Sequence, residues 1–88
     1  MEREKIGIVA NYFAKISVAA VEITDGELSV GDTLHFYGHT TDFESAVLSM
    51  QMAHKHITEA TKGESVGIKV PERVREGDRV YKIVAESS

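Results

Sequence analysis

The sequence predicts an all-β protein: a small closed antiparallel β-barrel of about seven strands. Three observations carry that prediction. Short runs rich in Val, Ile, Thr, Tyr and Phe recur at regular spacing, separated by Gly, Asp and other polar residues. Several runs alternate apolar and polar residues, the period of a strand with one buried face. The order Gly, acid, polar, apolar occurs three times, at Gly31-Asp32-Thr33-Leu34, Gly63-Glu64-Ser65-Val66 and Gly77-Asp78-Arg79-Val80. It reads as one turn-into-strand device, with glycine reaching positive φ and the acid bonding to nearby backbone. Size argues for closure. A chain of 88 residues buries only about 60–65% of its unfolded surface, and a barrel removes exposed edges.

Taken in order, residues 5–10 (KIGIVA) form the first strand. Gly7 inside it marks a bulge or a close backbone approach. Residues 11–14, with Tyr12 and Phe13, are a connecting loop. Residues 15–24 (KISVAAVEIT) are a long β-branched strand whose apolar parity changes midway. Ile16 and Val18 lie on one parity, Val21 and Ile23 on the other. A bulge near Ala19 and Ala20 accounts for that.

Residues 21–38 then read as strand, tight turn, short strand, turn, strand. In residues 33–37 Leu34 and Phe36 face inward and His35 and Tyr37 outward. Residues 43–52 (FESAVLSMQM) form one long strand with Leu48, Met50 and Met52 on one parity. Helix is the competing reading, since Ala, Leu, Met and Glu favour it. The surrounding strand pattern decides for strand. Residues 53–56 turn the chain and residues 57–60 are a short strand. In residues 65–70 Val66, Ile68 and Val70 point inward, and Pro71 ends the run because it has no amide donor. Residues 78–84 close the barrel. The domain spans 1–88, with the barrel at about 5–84, a short charged N-terminus and a tail at 85–88.

One stretch invites a different chemistry. Gly26-x-x-x-x-Gly31-Asp32-Thr33 is one residue from a phosphate loop. Asp32 stands where such a loop needs lysine. A carboxylate facing phosphate costs on the order of several kcal/mol in a low-dielectric site. The loop must also open a helix, whereas residues 33–37 read as strand. The stretch is therefore a structural hairpin.

Composition bounds the function. Hydrophobic residues are 42% and charged residues 27%, ordinary for a globular chain. There is no cysteine, which excludes disulfides, thiolate metal sites and thiolate nucleophiles. No apolar run approaches the roughly 20 residues of a membrane-spanning helix. The start, MEREKIG, is too charged for a signal peptide. These features read as a cytoplasmic protein away from membranes. The net charge of −4 argues against a bulk polyanion binder. It is unevenly spread: residues 54–82 carry seven Lys and Arg against five Asp and Glu.

The motifs Val21-Glu22-Ile23 with Gly26-Glu27-Leu28-Ser29-Val30-Gly31-Asp32-Thr33-Leu34 come first in a longer series. Val47-x-Ser49-Met50-Gln51-Met52-x-His54, Ile57-x-Glu59-Ala60-x-x-Gly63-Glu64-x-Val66-Gly67-Ile68 and Arg75-Glu76-Gly77-Asp78-Arg79-Val80 come after it. In this order they resemble domain II of the translational GTPases, the β-barrel of elongation factor Tu and its relatives. The resemblance covers about residues 5–84. It implies a free-standing translation elongation factor-like barrel, without a GTP-binding domain, GTPase activity or cofactor. In that family the barrel holds the aminoacylated end of tRNA and contacts ribosomal RNA. The implied function is a non-catalytic module contacting tRNA, the ribosome or a translation-associated partner.

Glu59 matches the family's glutamate near the terminal adenosine and is the one position carried across. Lys55, Lys62, Lys69, Arg73, Arg75 and Arg79 would neutralise phosphates, with Tyr12, Phe13 or Tyr37 available for stacking. Related barrels are also appended to collagenase-like peptidases and RNA-modifying enzymes. The alternative is thus a protein-interaction module acting as a detached accessory subunit of such an enzyme, which the net acidic composition fits equally well.

Two other chemistries are weighed and set aside. His54 and His56 share strand parity, and His35, His39 and Asp42 form a thin second cluster. A zinc site needs three or four converging ligands, so no metal is assigned. Ser45 or Ser49 with His54 and Asp42 supply the residue types of a triad, but no nucleophile elbow accompanies them. The sequence reading is of a non-enzyme with no catalytic residues.

Overall fold

Ile6 and Val9 anchor a first strand, β1 (Glu2–Phe13), that is longer than the sequence suggests. In the computed structural model, which describes residues 2–84, residues 11–13 are strand and not loop. They pair with Ala20, Ala19 and Val18 of β2 (Val18–Ile23). The tail at 85–88 lies outside the described residues. The register of β1 shifts twice, between Lys5 and Gly7 and between Val9 and Asn11. Gly7 meets both expectations: it sits at a shift, and a Cβ there would collide with the Glu22 carbonyl oxygen.

The bulge expected near Ala19 and Ala20 is absent from β2, which buries Ala19, Val21 and Ile23 in regular alternation. The apparent change of face comes from Val18, which lies on the outer face of β2, and from Ile16. Ile16 belongs to the preceding turn and is 59% exposed.

The chain continues through β3 (Glu27–Ser29), β4 (Thr33–Tyr37), β5 (Asp42–Ala46) and β6 (Met50–Met52). It ends with β7 (Lys55–Ile57), β8 (Glu59–Thr61), β9 (Ser65–Lys69) and β10 (Arg79–Val84). The described residues thus form ten strands and no helix. The all-β class is as expected; the count of about seven is not. Residues 43–52 divide into β5 and β6, and residues 55–61 into β7 and β8.

All pairings are antiparallel. Eight strands form one sheet in the order β5-β4-β10-β1-β2-β9-β6-β7, and β3 pairs with β8 as a separate two-stranded sheet. The large sheet does not close into the expected barrel, because its end strands β5 and β7 do not pair. The physical reason lies at residues 47–49. Val47 leaves the ladder and exchanges its backbone bonds with a turn, accepting from Gly31 N–H at 2.9 Å and donating to Asp32 C=O at 2.8 Å. The small sheet sits beside this break. Leu28 and Ala60 enter the same buried core as Val21, Phe36, Ile68 and Val80 of the large sheet.

The residues 21–38 that read as a hairpin therefore do not pair with one another. β2 pairs with β1 and β9, β3 with β8, and β4 with β10 and β5.

The recurring Gly-acid motif is a single three-dimensional device. Gly31, Gly63 and Gly77 have φ of 101°, 93° and 93°, the positive range required at the third position of a type II turn. In each turn the acidic residue's N–H donates back to the residue three before it, at 3.0–3.1 Å. Its carboxylate accepts that residue's N–H in return: Ser29 to Asp32 at 2.8 Å, Thr61 to Glu64 at 2.7 Å, Arg75 to Asp78 at 2.8 Å. Each turn then clamps one buried residue of another segment. Val47, Ile23 and Val9 accept from the glycine N–H and donate to the acid's C=O, all at 2.8–2.9 Å. Asp32, half-buried in its turn, has its carboxylate on Ser29, and β4 comes directly after it. That geometry is a register device and not a phosphate loop.

Candidate interaction surface

Alternation along a strand leaves every second side chain on the outer face. On β2 and β9 that face carries Val18, Ala20, Gly67 and Lys69, paired as Val18 with Lys69 and Ala20 with Gly67. Small side chains at its centre make a depression. A Cβ at Gly67 would lie 3.2 Å from Val18 Cγ1, so the floor is tight as well as low.

The walls come from turns. Residues 14–17 form a tight turn, with Ser17 at a φ of 55°, that lifts Ile16 clear of the sheet. The opposite wall is the β6–β7 hairpin, whose two connecting residues Ala53 and His54 have φ of 51° and 65°. A two-residue hairpin of this kind favours Asn and Gly. Left-handed backbone costs about 1–2 kcal/mol per ordinary residue. Strain of this kind tends to gather at ligand clamps and switch regions.

Three cavities of about 410, 290 and 280 Å³ run together along this face. The first and second share Ile16, Val18, Gln51 and Gly67. The second and third share Ser49 and Lys69. They make one trough from Phe13 to Pro71. Phe13, Ile16 and Leu48 are exposed to 47%, 59% and 83% and all line it. The other large apolar residues exposed among those described, Val30 and Tyr37, do not. This clustering of exposed apolar side chains in one groove makes it the candidate interaction surface.

A second cluster occupies the outer face of β1, β10 and β4. Arg3 Nη1 lies 2.6 Å from His35 Nδ1, and His35 Nε2 lies 2.6 Å from Asp42 Oδ1. A guanidinium only donates, so Nδ1 is the acceptor and the ring proton sits on Nε2. The Arg3 guanidinium also lies 4.8 Å from the centre of the Tyr81 ring, a cation–π contact. Both imidazole nitrogens are thus committed.

The residues singled out from sequence are dispersed. Arg73 and Arg75 line one cavity with Tyr12, Arg79 lines the adjacent one with Tyr37, and Lys69 stands at the trough. Lys55 is in β7, Lys62 is in the turn after β8, and Glu59 is exposed in β8 opposite Ser29. The triad types do not assemble: Asp42 is on His35, the Ser45 hydroxyl is on the Ala46 carbonyl, and His54 is in the β6–β7 turn. His54 and His56 do not share a face either, because His54 is a turn residue and His56 pairs with Gln51. Among the described residues no group of three or more His, Cys, Asp and Glu side chains is placed to hold a metal.

Sequence reasoning misses the trough. It sets Leu48 on one parity with Met50 and Met52 in a single long strand. Met50 is buried, but Leu48 comes just after the break at Val47 and points to solvent. Ile16 gives one signal, the parity conflict in residues 15–24, whose cause is the turn and the outward face of Val18, not a bulge.

No protein-family model matches the chain. Over 78 residues it is 49% identical to an uncharacterized protease of Methanocaldococcus jannaschii, a match covering 88% of this chain and 19% of the relative. It is 33% identical over 82 residues to a collagenase of Porphyromonas gingivalis, covering 92% of this chain and 23% of the relative. The chain thus spans about a fifth of the length of these relatives.

Among solved structures, the C-terminal domain of a Geobacillus thermoleovorans protein described as a U32 peptidase superposes with a TM-score of 0.84. The sequence identity is 19%, and the match covers 92% of this chain and 93% of that domain. Its selenomethionine variant superposes with a TM-score of 0.82, again at 19% identity, over 88% of this chain and 96% of that one. The likeness to these two is one of fold.

These relatives overturn the resemblance to domain II of the translational GTPases. The matching proteins are named as a protease and a collagenase, and the structural neighbours are a peptidase's C-terminal domain, not a translation factor's. The expected ties to translation, to elongation factors and to the ribosome fall with it. The motifs behind the error are largely the three turn clamps, which mark a way of ordering strands and not one family. Glu59 was singled out only through that resemblance and loses its support.

Proposed function

We propose that this chain is a non-catalytic accessory module of a peptidase-type enzyme, docking on the enzyme's larger catalytic portion through the trough. The observation that carries the reading is the confinement of Phe13, Ile16 and Leu48 to one groove. Solvent exposure of such side chains is unfavourable by roughly 25 cal/mol per Å² of apolar surface left in water, so a covering partner gains by burying them. The matches to a protease, a collagenase and a peptidase's C-terminal domain support the kind of partner. The polar cluster argues against independent acid–base work. Arg3 holds the only lone pair of His35, leaving none to accept a nucleophile's proton.

The test uses the Methanocaldococcus jannaschii relative with its matching segment deleted. Sedimentation of that protein with the 88-residue chain is expected to give a 1:1 complex, weakened at least tenfold by Leu48→Lys. The chain alone is expected to leave casein and gelatin intact. Cleavage by the chain alone, or failure to bind the truncated enzyme, overturns the reading.

A further inference from the structure

The trough is apolar and carries a single cation in a protein of net charge −4. Its lining includes Lys69 and no Asp or Glu. Lys69 stands where two of the cavities meet. Its cross-strand partner is Val18, so its stem covers apolar surface while its ammonium reaches outward. Among the described residues no carboxylate lies within ion-pairing distance of that ammonium.

The trough crosses from β1 over β2 and β9 toward β6. With strands about 4.8 Å apart, that crossing is roughly 15 Å, which about five extended residues span. Gly67 puts no side chain in the middle of the floor, between Val18 and Gln51, where an approaching backbone would lie. The two ends, at Phe13 and Ile16 and at Leu48 and Pro71, suit apolar side chains.

Resting on the accessory-module reading, we propose that the occupant is an extended segment of the enzyme's catalytic portion. It is apolar at both ends, with one Asp or Glu between them whose carboxylate pairs with Lys69 Nζ. Charge complementarity selects this segment: the trough offers one unpaired cation midway along an apolar path, no Asp or Glu lines it, and the acid on the same face of β2, Glu22, stands opposite Ser65, away from Lys69. Like charge opposite Lys69 is rejected, so the pairing sets specificity as well as affinity.

The test is an NMR titration of the 88-residue chain with three synthetic peptides: acetyl-Leu-Val-Glu-Val-Leu-amide and its Gln and Lys counterparts. The Glu peptide is expected to shift the amides of Val18, Gly67 and Lys69. It should bind roughly three- to tenfold tighter than the Gln peptide, with the Lys peptide weakest. In Lys69→Gln the Glu and Gln peptides should bind alike, while the Gln peptide keeps its wild-type affinity. Lys69 is exposed, and preserved amide dispersion will confirm that the variant folds.

Equal binding of Glu and Gln peptides to the wild-type chain overturns the proposal. So does the absence of any shift at the trough. A concentration-dependent dimer of the chain that Leu48→Lys dissolves overturns it too, by placing a second copy there. The two readings fail separately. Binding to the truncated enzyme without a Glu preference sinks only the occupant's chemistry; a Glu preference without binding to the enzyme sinks the accessory role.

Discussion

Val9 and Asp78 hold each other through their backbones. Val9 N–H donates to the Asp78 carbonyl at 2.8 Å, while the Val9 carbonyl accepts from Gly77 N–H at 2.8 Å. The Asp78 side chain meanwhile accepts the Arg75 amide. One residue thus joins a turn to itself and to the second register shift of β1. Glu64 with Ile23, and Asp32 with Val47, repeat the relationship.

Removing the carboxylate should therefore hurt in all three turns, most where it is buried. Asp78 is 6% exposed. Asp78→Ala leaves the Arg75 amide without its partner, which costs about 1–3 kcal/mol. A domain of this size loses roughly 4–8 °C in Tm per kcal/mol. Calorimetry on Asp78→Ala, Asp32→Ala and Glu64→Ala is expected to show the largest loss for Asp78, since the other two carboxylates are half-exposed and water replaces part of their bond.

Gly7→Ala should destabilise strongly. The added Cβ meets a backbone carbonyl, that of Glu22, and backbone cannot step aside as a side-chain tip can. A loss of about 1–3 kcal/mol or more is expected, read as a lowered urea midpoint with unchanged slope.

The β6–β7 hairpin should respond in the opposite direction. Ala53→Asn with His54→Gly places residues suited to positive φ where the backbone already has it. Relief of left-handed strain of about 1–2 kcal/mol per residue, less about 0.5–1 kcal/mol of entropy where glycine is introduced, leaves an expected net gain of about 1 kcal/mol, seen as a rise in Tm. Both residues line the trough, so the same variant titrated with the peptides shows whether the strained turn shapes that wall.

The Arg3 contact fixes how His35 carries its proton. Nitrogen-15 spectra of the neutral ring are expected to report Nδ1 as the unprotonated nitrogen. Arg3→Ala should release that preference while lowering stability by no more than about 1 kcal/mol, because the pair is exposed.

Much of the fold was legible because turn chemistry is local. Gly31, Gly63 and Gly77 with their acids marked three turns that the structure uses identically, and the alternation of Leu34 and Phe36 or Val66 and Ile68 marked true inward faces. What stayed hidden depends on distant partners. Val47 leaves the ladder because a turn fifteen positions back takes its backbone bonds, and nothing in FESAVLSMQM announces that. With the break unseen, Leu48 shares a parity with Met50 and Met52 in one continuous strand, the sheet reads as closed, and the trough beyond it has no signal. Arg3 and His35 met for the same reason: cross-strand register, not spacing, brings them together.

The three clamps are also nested. Asp32 with Val47 lies inside Glu64 with Ile23, which lies inside Asp78 with Val9. Loop-closure entropy rises with the length enclosed. The innermost clamp closes the shortest loop, and each closure shortens the free chain that the next must bring together. The order of assembly is then written into the chain like matched parentheses, from the centre outward. The outermost clamp joins the first strand to the last at the middle of the large sheet, so the sheet's two halves, β5-β4 and β2-β9-β6-β7, should be the last pieces brought together.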